Sequence, residues 1–149
     1  MIQVTKKTSL YEQDILLWSE ETLTKLNARD FENLDLENLI KEIESLGISQ
    51  KKELLSRLTT LLEHLLKRLY VNIPDDYNGW ERTIRTQRRE LKLLLIQVPS
   101  LKTKWHESLI VAWQLALSDV NSEYKSTTFP LTWQFSDDMA IILNVNFWE

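Results

Sequence analysis

The chain contains no cysteine. Disulfides, thiolate catalysis and zinc–thiolate sites are therefore excluded. Glycine occurs only at Gly47 and Gly79, and proline three times in 149 residues. That scarcity argues against a turn-rich β fold and for long helices. It also excludes a P-loop or a dinucleotide fingerprint, both of which need several glycines where backbone approaches phosphate. Two histidines are present, His64 and His106. Neither falls in the Glu-x-x-His or His-x-x-x-His spacing by which helical bundles hold metals. No run approaches the roughly 18 apolar residues of a membrane span. Met1 to Ser9 is polar, with Lys6 and Lys7, and lacks the apolar core of a signal segment. Positive charge is not in excess either: a net charge of −4 and a pI near 5.3 give no general attraction to nucleic acid or acidic membranes. The expectation is a soluble cytoplasmic protein with no cofactor, no metal and no membrane association.

What the chain does have is the apolar content of an ordinary globular domain and enough length for one real core. No internal repeat or low-complexity linker divides it. A single domain over 1–149 is expected, with 1–8 loosely ordered and the tail from 127 to 149 packed on the rest. Ser9 and Glu12 form a capping-box pattern that opens a first helix running to about Asn27. Its inner face is Tyr11, Ile15, Trp18, Thr22 and Leu26. Asp35 is placed to cap a second helix with Leu36, Leu39, Ile40, Ile43 and Leu46 inside. Gly47 is read as its C-terminal residue, because a left-handed turn is cheap for glycine. Ser49 then caps a third helix reaching about Ile73, with a stripe from Leu54 to Leu69. Asn78 with Glu81 opens a fourth, carrying Trp80, Ile84, Leu91, Leu94, Leu95 and Val98. Ser100 opens a fifth, carrying Leu101, Trp105, Leu109, Trp113, Ala116, Val120 and Tyr124. The tail reads as an extended strap with one short helix near Asp137 to Leu143. Short connections favour antiparallel neighbours. The fold class expected is all-α: an antiparallel up-down helical bundle of about five helices with an extended C-terminal strap.

Polar residues on these faces mark where a site could lie. His64 sits in Leu61-Leu62-Glu63-His64-Leu65-Leu66-Lys67, at the flank of the stripe. Gln87 lies in the middle of the Trp80–Ile84–Leu91 stripe, where a buried amide without partners costs roughly 1–3 kcal/mol. A hairpin about Gly47 would bring Arg57 level with Glu42 and His64 nearer Asp35 and Asn38. A fold-back about Pro74 would bring His64 level with Gln87 and Arg88. Two polar layers are therefore expected: His64 with Gln87, Arg88 and Asp35 or Asn38, and Glu42 with Arg57. No catalytic residue is assigned. His106 is read as a core-edge residue.

The series Asp14 and Trp18, Leu34-Asp35, Asn38-Leu39 and Glu42-Ile43-Glu44-Ser45-Leu46-Gly47 continues with Leu61 and His64-Leu65-Leu66-Lys67. After it come Trp80, Thr83-Ile84, Gln87-Arg88 and Pro99-Ser100-Leu101. Together these motifs resemble the bacterial domain of unknown function 29 family, over about Leu10 to Trp133. The resemblance implies an all-helical fold and a bacterial, cyanobacterial-type source. It implies no activity.

Three functional readings follow. The preferred one is a non-enzymatic protein-interaction or regulatory module, with a protein partner or a second copy of the chain. It needs no catalytic apparatus, and tryptophan, present six times, is enriched at binding hot spots. The second is a metal- or small-ligand-binding enzyme built on the polar layer around His64. The third is nucleic-acid binding through Arg82, Arg85, Arg88, Arg89 and Lys92 on one flank of the fourth helix. Nucleic acid is the less favoured partner, because acidic residues of the first two helices, such as Glu12, Glu20, Glu37 and Glu44, are expected to neutralise that flank.

Overall fold

The computed structural model describes residues 9–149. The expectation about residues 1–8 lies outside the described residues. The fold is all-α, and no strand occurs among the described residues. Among those residues, too, no helix is long and apolar enough to cross a membrane. The helices are α1 (Leu10–Gln13), α2 (Ile15–Asn27), α3 (Leu36–Tyr70), α4 (Pro74–Gln97), α5 (Trp105–Glu123) and α6 (Met139–Asn144). A 3₁₀ segment, Pro99–Lys104, leads into α5. The chain divides into two compact units, Met1–Gly47 and Ile48–Glu149.

Ser9 caps α1 as its sequence suggests, its hydroxyl accepting from the Glu12 amide. The first helix is nevertheless two. Asp14 adopts extended backbone angles, and its carboxylate accepts from the Leu17 amide at 3.0 Å. A short acidic side chain offers the backbone an alternative to continued helix, so Asp14 ends one helix and caps the next. α2 closes in a Schellman pattern. Asp30 N–H reaches the Lys25 carbonyl, Arg29 N–H reaches that of Leu26, and Arg29 sits at φ 61°.

The largest departure from expectation is at Gly47. It does not terminate a helix; α3 runs unbroken through it for 35 residues. Glycine in a helix interior costs about 1 kcal/mol relative to alanine. Ending the helix would leave several carbonyls and amides to be satisfied elsewhere. No proline lies nearby to force the break, so the hairpin expected at Gly47 does not form. Nor does Asn78 open the fourth helix. Pro74 occupies its first turn, where a missing N–H is harmless, and Asp75 and Asp76 follow it there.

In the Ile48–Glu149 unit, α3 and α4 run antiparallel: Arg57 meets Gln87 and Arg68 meets Glu81. α5 returns parallel to α3, with Lys67 beside Glu123. The core of this up-down-up bundle holds Leu54, Leu58, Leu61, Leu65, Ile84, Leu91, Ala112, Ala116 and Val120. Each fully buried leucine contributes roughly 1.5–3 kcal/mol over an exposed one. The tail joins this core through Phe129, Ile142 and Leu143, with Trp133, Phe147 and Trp148 packed against it. In the Met1–Gly47 unit only Trp18 and Thr22 are buried among the described residues.

Candidate functional site

The six polar residues singled out from the sequence divide among separate groups. Asp35 accepts from the Trp18 indole N–H at 3.1 Å and from the Asn38 amide side chain at 2.8 Å. The Asn38 bond first, and the Trp18 bond with it, holds the Asp35 carboxyl below its ordinary range. Glu42 accepts from the Tyr11 hydroxyl, and that bond raises the tyrosine above its usual value. Both groups tie α1 and α2 to the start of α3.

Arg57 is not the partner of Glu42, since the fold-back required is absent. Its guanidinium donates to Glu53 at 3.1 Å and to the Gln87 side-chain oxygen at 3.3 Å, and lies 4.0 Å from Glu90. Gln87, the polar residue in an apolar stripe, is thus satisfied by Arg57. Glu53, Arg57 and Gln87, with Ser56 and Thr60, line a small polar cavity of about 230 Å³.

His64 bonds within its own helix. Its Nδ1 lies 2.7 Å from the Thr60 carbonyl, so Nδ1 carries the donating proton. Burial depresses its basicity. Neither Asp35 nor Asn38 is its partner, because the hairpin at Gly47 is missing. Arg88 turns away from the layer expected with His64. It donates to the Ile142 carbonyl at 3.0 Å and the Val145 carbonyl at 2.6 Å, and so anchors the end of α6 to α4.

The remaining basic residues of α4 stay at the surface. Arg85, Arg89 and Lys92 line an open groove with Leu93, Ile96 and Leu143. Arg85 and Lys92 make no ion pair among the described residues, whereas Arg89 lies 3.5 Å from Glu90.

Sequence reasoning passed over three features. The first is Glu63, next to His64. Burial, and then a hydrogen bond with Asp119, push its carboxyl up to about 7. No periodicity reveals this, because Asp119 comes from α5. The second is an apolar cavity of about 370 Å³ between α5, the strap and α6, with His106 and Asp137 at its rim. His106 is exposed there and not at a core edge; its Nδ1 lies 3.8 Å from the Asp137 carboxylate. The aromatic content of the tail was the available signal. Trp113, Trp133, Phe135 and Phe147 form a chain of ring contacts with centroids 4.8–6.0 Å apart.

The third is the first part of α3. Leu36, Ile40, Ile43 and Leu46, expected inside, are 57%, 54%, 60% and 66% exposed. Their helical spacing is as read, and among the described residues these side chains stand largely exposed. α2 adds Leu16 and Leu23, also exposed.

A family model described as Domain of unknown function DUF29 matches residues 10–148. No curated protein and no solved structure matches the chain.

Proposed function

We propose a cytoplasmic protein-association module as the role of this chain, which belongs to the DUF29 family. The observation that carries this reading is the aliphatic face of α3, with four large side chains at helical spacing, each more than half exposed. Contiguous apolar surface of this kind marks interaction sites. Residues 1–47 contain ten acidic and five basic residues. The partner of matching chemistry is an amphipathic helix that lays an apolar stripe on Leu36, Ile40, Ile43 and Leu46 and carries basic residues at its flanks. Asp35 and Glu42 support the face by fixing α1 and α2 to α3. Arg57 and Gln87 join α3 to α4, Arg88 joins the tail to α4, and His64 bonds within α3. Nucleic-acid binding is less well supported, because Arg88 is engaged with α6.

The test is an Ile40→Ser/Ile43→Ser double variant together with a photo-crosslinking side chain placed at Ile43. Exposed positions tolerate substitution within about 0.5 kcal/mol each, so urea unfolding of the double variant should stay close to the parent. A loss of about 4 kcal/mol or more, the size of two core truncations, would show the face to be core and overturn the reading. In the native cell, the crosslinker should capture a helical segment with basic flanks, and adding Ile40→Ser should abolish the adduct. Absence of any adduct at Ile43 counts equally against it.

A further inference from the structure

We propose that the cavity between α5 and the C-terminal strap is a binding site for an uncharged, planar aromatic small molecule bearing one hydrogen-bonding group. Its volume of about 370 Å³ falls within the range of small-ligand pockets, about 300–1,000 Å³. The site lies wholly within the Ile48–Glu149 unit and does not depend on the aliphatic face of α3.

The walls specify the chemistry. Trp113 and Trp133 meet edge to face at 6.0 Å. Both indole N–H groups are already engaged: Trp113 donates to the Leu131 carbonyl at 3.0 Å, and Trp133 to that of Ser136 at 3.1 Å. What they present to the space is ring surface, to which Leu62, Leu109 and Ile142 add aliphatic walls. Such a lining favours flat, apolar occupants in edge or offset contact. The Trp113 bond ties α5 to the strap, Trp105 of α5 adds a second, to the Asp137 carbonyl at 3.5 Å, and the Trp133 bond folds the strap on itself. One wall of the cavity is therefore held in place before any ligand arrives, which lowers the ordering cost of binding.

Polar groups gather at the rim. His106 and Asp137 face each other at 3.8 Å and are 73% and 61% exposed. They offer a ring N–H and a carboxylate oxygen to a ligand's polar end, while Asp137 repels an anion. Gln114 and Thr132 are the other polar lining residues, and both are uncharged. The arrangement suits an amine, amide or hydroxyl on an aromatic body.

N-phenyl-1-naphthylamine, a neutral aromatic amine that fluoresces in apolar surroundings, is the probe. The full chain should bind it saturably with one-to-one stoichiometry, with energy transfer from tryptophan. Gln114→Trp, an exposed position that places a ring over the cavity, should weaken binding about tenfold or more, equivalent to roughly 1.4 kcal/mol. Leu131→Trp at the opposite, exposed rim provides the same block should the first variant lose helicity by circular dichroism. Ile40→Ser/Ile43→Ser should leave binding unchanged, which separates the cavity from the α3 face. Non-saturable binding, wild-type affinity in a folded rim variant, or loss in the α3 variant would each overturn the assignment.

Discussion

At the scale of single residues, Glu63 and His64 are neighbours with opposite responses to pH. Glu63 titrates near 7 in the folded chain instead of 4.5, because burial and Asp119 disfavour its charged form. The native state then binds more protons than the unfolded state between those values. Stability falls as pH rises from 4.5 through 7 and stays lower above. His64 is the reverse: burial lowers its folded value below 6.5. Its contribution is fully present above 6.5 and is lost as pH falls through the folded value. The two slopes oppose each other below 6.5. Glu63→Gln should raise the melting temperature at pH 8, leave it unchanged at pH 4, and uncover the acid-side loss due to His64. Thermal melts across this range check it; an unchanged slope between 4.5 and 7 in Glu63→Gln would sink the assignment. The places of His64 and Gln87 on their helix faces were legible from helical spacing. Their partners were not, since Gln87 is satisfied by Arg57, thirty positions earlier.

At the scale of elements, α3 is the informative case. Its stripe from Leu36 to Leu46 and from Leu54 to Leu66 follows helical periodicity, and both parts were readable as faces. Their join was not, because glycine serves equally as a helix terminator and as a tolerated interior residue. The deciding quantity is the balance between about 1 kcal/mol for an interior glycine and the unmade hydrogen bonds of two new helix ends. Space around Gly47 is open: a Cβ there would meet nothing within 4 Å. Gly47→Ala should therefore stabilise the chain by about 1 kcal/mol in urea unfolding. Destabilisation would mean that Gly47 is not helical in solution. Pro74 makes the complementary point. α3 ends at Tyr70, short of the Ile73 expected, and Pro74 begins the next helix, which moved the start of α4 four residues ahead of the Asn78 cap.

At the scale of the whole molecule, the two units differ in how much they bury. The Ile48–Glu149 unit holds a continuous leucine and tryptophan core. The Met1–Gly47 unit buries Trp18 and Thr22 among its described residues and relies on side-chain bonds at Asp35 and Glu42. Opening free energy follows buried apolar contact. Amides of α2 should exchange with deuterium at lower opening free energy than those of 54–66 in α3, and guanidinium should unfold the first unit ahead of the second. Equal protection in both would show that the first unit is held by more than its own contacts.

Composition and local pattern by themselves determined the all-helical class, the exclusion of thiol and glycine-loop chemistry, the caps at Ser9 and Asp35, and which residues share a helix face. These depend on neighbours within about four positions, where backbone geometry alone sets the outcome. Only the tertiary structure decided whether a face is covered, where the cavities lie and whom each polar group meets. Arg88 finds Val145 across 57 positions and Tyr11 finds Glu42 across 31. Contacts of that range depend on how helices pack, and packing reads the summed shape of many side chains instead of the period of any one segment.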